Sequence, residues 1–482
     1  MIKFLGKYGI YVIVLVAFLL RLVRIDQSLW LDEAISALAA RDYSFYGIIF
    51  DFLKGDNHPP LFYLILRGWG LLFGFSDIPL RMLSVLLGTA TIWLTYLFLK
   101  KLINSKVALL GSLFLATSPL HIYYSQEIRM YPILAFYVIC LMYLFLFTLE
   151  DKVKMRYWVG VSILTVLTVA TDYVGLFILP VLVVIGLWKK QKLLWWKKLT
   201  MILIPLVLIS LLWIPLFLMQ TETARAQLSG LPGWKSIAGG ANFKEVVVLW
   251  MKFVLGRISF EPKVVYYLLT SFFSLGFFVG LLQAIKSKQN KILWIILLVP
   301  LVSSFLVSFV VPAFNYFRFI YVLPAFYGIT AVGLLSIKRK AFYFPVIALI
   351  LLGNIIGNCF YFFDQHNQRE MWKQAVLYTE QNPADVTVFE FPSPFDPYEW
   401  YAQDYTKGFG ALNGLPVDQK LSEAKIEAKI SGSTSSLYHI SYLRDLTDSD
   451  RFVEQKIEQL GFKKIQSKSF AGVGEVSRYE RY

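Results

Sequence analysis

Two adjacent acids, Asp32 and Glu33, follow the first long apolar run, in the stretch SLWLDEAIS. A carboxylate there can act as general base on a hydroxyl, and its neighbour can bind a metal ion or orient the first. Neighbouring helical residues diverge by about 100°, so the two need not face one site. Acids at a helix N-terminus also simply favour the macrodipole. His58, in NHPP, is the one histidine of the same segment. With Glu33 it offers a carboxylate–histidine pair for a divalent ion, although the spacing matches no standard metal motif. The stretch HIYYSQEIRMYP supplies Gln126, Glu127 and Arg129. The planar fork of an arginine suits phosphate; equally, Glu127 and Arg129 can pair with each other inside an interfacial belt of Tyr123, Tyr124 and Tyr131. Arg318, in NYFRF, is a further cation at the start of an apolar run. A charge at a membrane boundary is costly unless it is partnered, and an anionic lipid head group would partner these arginines.

The elements that must position these residues are membrane helices. Hydrophobic residues make up 57% of the 482 and charged residues 16%, against roughly 45–50% and about 25% in ordinary globular domains. Mean hydropathy is +0.58. A disordered chain, a fibrous repeat and a typical cytosolic enzyme are excluded. The net charge of +15 sits in short clusters between apolar runs, the pattern of cytoplasmic loops and not of a nucleic-acid surface. The two cysteines, Cys140 and Cys359, lie far apart in apolar runs, which argues against a disulfide framework, a zinc ribbon and an iron–sulfur site. Eleven apolar runs read as spans, at about 8–25, 80–99, 107–122, 132–149, 157–171, 174–188, 199–219, 264–284, 292–311, 319–336 and 342–363, each near the roughly 20 residues that a bilayer requires. The first, after a basic start and without a small-x-small cleavage site, reads as an uncleaved span.

The run 61–75 decides the parity. It is short and carries Arg67 at its centre. If it does not span, the basic clusters at 100–106, 152–156, 189–198, 286–291 and 338–340 hold 17 Lys and Arg on the side of Lys3 and Lys7, which is cytoplasmic by the positive-inside rule. The run is therefore expected to be an interfacial or re-entrant helix on the outer side. That places loops 26–79, 121–131, 220–263 and 312–318 outside, together with a tail, 364–482, that has 14 Lys and Arg against 18 Asp and Glu. The expected division is a transmembrane catalytic domain over 1–363 and a small soluble α/β domain over 364–482. Helices are expected at 370–380 and 450–460, strands at 386–391 and 437–442, and a hairpin over 462–482 turning near Gly472–Gly474. No P-loop, GxGxxG, GxSxG, HExxH or CxxC occurs, which argues against ATP hydrolysis, dinucleotide chemistry, a serine hydrolase of that class and a zincin.

SLWLDEAIS, then NHPPLFYLILRGWGLLFG with LRMLSVLLG, then SPLHIYYSQEIRMYP together resemble the GT-C membrane glycosyltransferases, in particular the protein O-mannosyltransferase/aminoarabinose transferase superfamily and its bacterial RgtA/B/C/D-like branch. NYFRFIYVLPAFYG and HNQREMWKQAVLYTEQNPADV add weaker support. The resemblance implies a polytopic α-helical fold and an inverting hexosyl- or pentosyltransferase at the outer face of the plasma membrane. Its donor would be a sugar on a polyprenyl-phosphate carrier, and its acceptor a glycan, lipid or protein. Asp32 matches the first-loop acid expected as general base, and Glu33 its neighbour. His58 stands where members have His or Lys near the donor phosphate. Gln126, Glu127 and Arg129 match the second-loop pattern, and Arg318 is the arginine for the lipid phosphate. Members differ in metal use, so a divalent ion on Glu33 and His58 stays open. A lipid-linked sugar flippase is the alternative; it would call for mid-membrane charges and an internal repeat, neither of which the sequence shows. A reporter fused after residue 482 is expected to be active only if its fold matures outside the cytoplasm; activity of a reporter that works only in the cytoplasm would reverse the topology.

Overall fold

The computed structural model describes residues 2–230, 239–414, 417–430 and 432–481. The fold is polytopic and mostly helical, with a small C-terminal sheet domain. Among the described residues six helices are long and apolar enough to cross a membrane: Asp77–Leu102, Tyr131–Thr148, Leu193–Ala226, Lys263–Ile285, Tyr316–Ser336 and Ala341–Phe363. Ser105–Thr117 and Pro119–Ser125 form a seventh if the bent pair is one span. The remaining expected spans are shorter apolar helices, at Tyr8–Leu22, Met155–Thr171, Tyr173–Trp188 and Lys291–Val307. Large apolar side chains such as Leu212 and Val310 face outward, as a lipid-facing surface requires and a water-facing one does not.

Prolines correct three of the expected spans. The expected helix 107–122 breaks at Ser118 with a bend of 62°. Pro119 starts the second piece, and the Ser118 hydroxyl accepts from the His121 amide as its cap. Runs 174–188 and 319–336 each begin as a 3₁₀ segment, Tyr173–Ile178 and Tyr316–Val322, and become α-helical where Pro180 and Pro324 enter the first turn. Proline fixes φ and has no N–H to donate, so a helix restarts at it more readily than it runs through it.

The run 61–75 forms the 13-residue helix Leu61–Phe73, about 20 Å long. Arg67 donates to the Ala40 carbonyl at 3.0 Å, at the end of the first-loop helix Leu31–Asp42. The second loop lies against Asp77–Leu102: the Ser84 hydroxyl donates to the Glu127 carbonyl at 2.6 Å, and Gly88 admits Ser125, whose Oγ stands 2.3 Å from where a Cβ would be. In loop 220–263 the described part includes the helix Phe243–Leu255; residues 231–238 lie outside the described residues.

The tail folds as five strands: β1 Val386–Phe389, β2 Gly408–Gly410, β3 Ser436–Ile440, β4 Lys463–Phe470 and β5 Gly474–Glu480. Their order is β2-β1-β3-β5-β4, with β1 parallel to β2 and β3, and β5 antiparallel to β3 and β4. Gly472 and Gly474, both at positive φ, make the β4–β5 turn. Helices Trp372–Gln381 and Phe452–Gln459 occupy the two expected helical stretches. Strand β2 and the helix Gln419–Lys429 had no counterpart in the sequence reading. The domain docks on the first loop. Trp400 and Tyr401 donate to the two oxygens of Asp77 at 2.9 and 2.7 Å. The Ser28 hydroxyl donates to the Glu370 carbonyl, and the Arg369 amide donates to Gln27 at 2.8 Å.

Candidate functional site

Asp32 and Glu33 occupy the first turn of Leu31–Asp42 and point to different surroundings, as the helical angle between neighbours dictates. Glu33 is fully buried. Arg81 grips it with both arms, Nε to Oε1 at 3.0 Å and Nη2 to Oε2 at 2.7 Å. The Ile128 amide donates to Oε1 at 2.9 Å, and Arg369 stands 3.9 Å from Oε2. Burial alone would raise the pKa of Glu33, but Arg81 and Arg369 outweigh it and hold the carboxyl below its usual range. Arg81 also donates to the carbonyls of Ile25, Gln27 and Ser28, so the same guanidinium that neutralises Glu33 closes the chain leaving the first span.

Asp32 keeps 30% of its side chain exposed and faces Arg129, whose Nη2 is 3.5 Å from Oδ2. Arg129 is buried and donates as well towards Ser36 Oγ and His58 Nε2, each at 3.4 Å. His58 Nδ1 lies 2.9 Å from Asp56 Oδ1. One tautomer satisfies both contacts: Nδ1–H donates to Asp56 and Nε2 accepts from Arg129. Burial pushes the pKa of Asp56 up, but His58 and Arg129 together bring it below the usual range. Tyr63 donates to the other Asp56 oxygen at 3.1 Å.

Glu127 is buried under Trp30, whose Nε1 donates to Oε1 at 3.0 Å. Its Oε2 stands 3.2 Å from Arg369 Nη1, and neither atom has an aligned hydrogen-bond partner. Burial pushes Glu127 up to about 7, with Glu33 and Asp32 adding to it and Arg369 and Arg129 opposing. Gln126 is a tie: it donates to the Arg21 and Val23 carbonyls at 2.8 and 2.7 Å and accepts from Tyr361 at 2.8 Å. Arg318 is partly exposed and donates to the Pro312 carbonyl at 2.6 Å. It has no carboxylate partner among the described residues. Its neighbour Phe317 meets the rings of Tyr124 and Tyr131 at 6.4 and 5.4 Å, which sets this third segment beside the second loop.

The structure thus gathers Asp32, His58 and Arg129 directly. It links Glu33 and Glu127 through Arg369, and leaves Arg318 outside both groups, its neighbour Phe317 against Tyr124 and Tyr131. A cation does not fit on Glu33 and His58. Both Glu33 oxygens are taken by Arg81, and the two His58 nitrogens face Asp56 and Arg129. Among the described residues no three His, Cys, Asp or Glu are gathered in a cation site.

Sequence reading missed Arg81, Arg369, Asp56 and Trp30. Arg81 carried a signal, a cation at the outer end of a span against the positive-inside bias. Arg369 carried none, since it comes from the tail, 336 positions after Glu33. Arg257, exposed, lies over the rings of Tyr123 at 4.8 Å and Trp30 at 5.9 Å.

Residues 57–215 match the family model of dolichyl-phosphate-mannose-protein mannosyltransferases. The crystal structure of ArnT from Cupriavidus metallidurans bound to undecaprenyl phosphate is similar over 98% of this chain and 98% of that one, with a TM-score of 0.59 at 12% identity. The chain has the fold of ArnT. The oligosaccharyltransferase of Archaeoglobus fulgidus, in complex with Zn and sulfate, aligns over 96% of this chain and 73% of its own, with a TM-score of 0.54 at 13% identity. AglB from Archaeoglobus fulgidus, in complex with an inhibitory peptide and a dolichol-phosphate, aligns over 91% and 70%, with a TM-score of 0.50 at 14% identity. No curated sequence matches. The family match covers 159 of the 482 residues, and the likeness to the solved structures is one of fold. The matched segment holds His58, Arg81, Glu127 and Arg129; Asp32 and Arg369 lie outside it.

Removing Arg81 leaves a buried carboxylate uncompensated, which costs about 3–5 kcal/mol. Arg81→Met is expected to lower the melting temperature in detergent sharply, and the double variant with Glu33→Gln to recover part of the loss. An Arg81→Met protein that melts like the wild type would show that the pair is not what holds the first loop.

Proposed function

We propose that the chain is an inverting glycosyltransferase that takes a sugar from a polyprenyl-phosphate carrier at the outer face of the membrane and passes it to an acceptor hydroxyl. The observation that carries this reading is the contrast among three acids. Glu33 and Glu127 are buried and engaged, while Asp32 keeps an exposed face. One accessible carboxylate held by a guanidinium is what a single displacement needs. The acceptor oxygen attacks the anomeric carbon, its proton passes to Asp32, and the bond from that carbon to the phosphate oxygen breaks with its electron pair staying on the carrier phosphate. No second carboxyl has to serve as nucleophile. The leaving group is an anion, so it needs cations more than it needs a general acid.

Arg129 and Arg318 are assigned to that phosphate. Among the described residues Arg129 has one ring nitrogen, one carboxylate, one hydroxyl and the Asp32 carbonyl as neighbours and an Nε without a partner; Arg318 donates to a carbonyl and is partly exposed. His58 orients Arg129 through Nε2. Glu33 and Glu127 are assigned to the charge frame around the first and second loops, and Gln126 to tying the second loop to the first span. Residues 364–482 stand outside the membrane with the acceptor side. The support is the exposed acid, the two cations on the same face and the GT-C fold; hexosyl or pentosyl donor is a choice that a transfer assay makes.

Asp32→Asn is expected to cut transfer by about 10²–10⁴-fold while binding of polyprenyl phosphate, read by calorimetry in detergent, stays near wild type. Arg129→Ala and Arg318→Ala are expected to lose affinity for the same ligand, since charge-assisted bonds contribute roughly 1.5–3 kcal/mol each. Transfer in detergent micelles, where a flippase has no two sides to connect, separates the enzyme from a transporter. Near-normal turnover by Asp32→Asn would remove the base; unchanged affinity in both arginine variants would place the phosphate elsewhere.

A further inference from the structure

We propose that the C-terminal domain is part of the transfer site through Arg369, a positioning residue that holds Glu127, Trp30 and, through them, Asp32. The guanidinium is 1% exposed and enters the space between the first and second loops. It approaches Glu127 Oε2 at 3.2 Å and Glu33 Oε2 at 3.9 Å. Its Nη2 donates to the Tyr123 carbonyl at 3.0 Å, and its plane lies 3.7 Å from the Tyr123 ring centre. All of these partners belong to the two loops, none to the domain that carries Arg369.

The path to Asp32 is short. Glu127 Oε1 accepts from Trp30 Nε1, and Trp30 is the residue that precedes the helix Leu31–Asp42, with its own carbonyl accepting from the Ala34 amide. Asp32 sits in the first turn of that helix. A shift of Glu127 therefore moves the point from which Asp32 is presented. Two buried carboxylates, Glu33 and Glu127, face two buried guanidinia, Arg81 and Arg369. Arg81 is spent on Glu33 in a two-armed bond, so Arg369 is the cation that Glu127 has at salt-bridge distance. Without it the buried Glu127 must take up a proton or move away from Glu33, and either change loosens its hold on the loops. The domain's own docking bonds, from Trp400 and Tyr401 to Asp77 and between Ser28 and Glu370, keep the Arg369 backbone in place.

This inference rests on the transfer reading, and its test separates the two. The full chain in detergent is compared with Arg369→Lys, Arg369→Leu and Arg369→Leu combined with Glu127→Gln. Small displacements of a catalytic group cost about 10²-fold, so Arg369→Leu is expected to lower kcat by about ten- to a hundred-fold with KM for the lipid donor little changed, and Arg369→Lys to restore part of the rate. Hydrogen exchange, which needs no reaction, is expected to quicken in peptides spanning 29–42 and 124–131 in Arg369→Leu. The double variant is expected to melt higher than Arg369→Leu at neutral pH, because Gln is neutral without the proton that a buried Glu127 must take up on folding. Wild-type kcat in Arg369→Leu, unchanged exchange in both peptides, or a double variant melting no higher than the single would each overturn the proposal. If the wild type transfers no sugar from any polyprenyl-phosphate donor, the transfer reading falls, while exchange and melting still decide whether Arg369 holds the loops.

Discussion

Everything at the candidate site depends on burying two carboxylates, Glu33 and Glu127, next to each other. Charge out of water is costly, and each acid must be met by a cation with good geometry. Arg81 and Arg369 meet that demand from opposite ends of the chain. One rises from the start of a membrane helix; the other descends from the sheet domain. The consequence is that the first loop, the second loop and the tail are fastened at one point. Glu33 is the better satisfied of the two, with a two-armed guanidinium and a backbone amide, and it is held ionised. Glu127 has one aligned bond, from Trp30, and an unaligned ion pair, and burial leaves it near neutrality at about 7. A rigid anchor and a softer neighbour thus stand side by side beneath Asp32.

That fastening leaves Asp32 with an exposed face. The residue beside it in sequence is consumed by structure, and the hundred-degree turn between them sends Asp32 to the open side. There it meets Arg129, itself steadied by His58 and Ser36, with His58 fixed by Asp56. The contacts run from Asp32 to Arg129, His58 and Asp56, so that each group orients the next.

Much of this was legible in the sequence, and the part that was not has a physical reason. Asp32, His58, Glu127 and Arg129 were singled out because charged residues at outer loop positions are costly without a purpose, and the contrast of apolar runs with 17 one-sided basic residues gave the frame. The partition of duties between Asp32 and Glu33 was not legible, because it turns on which side of one helical turn faces the membrane domain. Gln126 read as a substrate ligand, yet its amide is taken up by backbone carbonyls at the end of the first span, a bond that only tertiary structure supplies. Arg369 was hidden by distance along the chain. The bend at Ser118 and the changes from 3₁₀ to α-helix before Pro180 and Pro324 were visible as prolines, but hydropathy alone shows none of them. Strand β2, at three residues with two glycines, has too little pattern to be seen.

The central claim is that one accessible carboxylate, Asp32, works as a lone base in a single displacement. The stereochemistry at the transferred sugar's anomeric carbon tests that claim most directly. Nuclear magnetic resonance of the product made from a donor of known anomeric configuration reads it. The account predicts the opposite configuration in the product. A product that retains the donor's configuration would require a second, nucleophilic group and would contradict it.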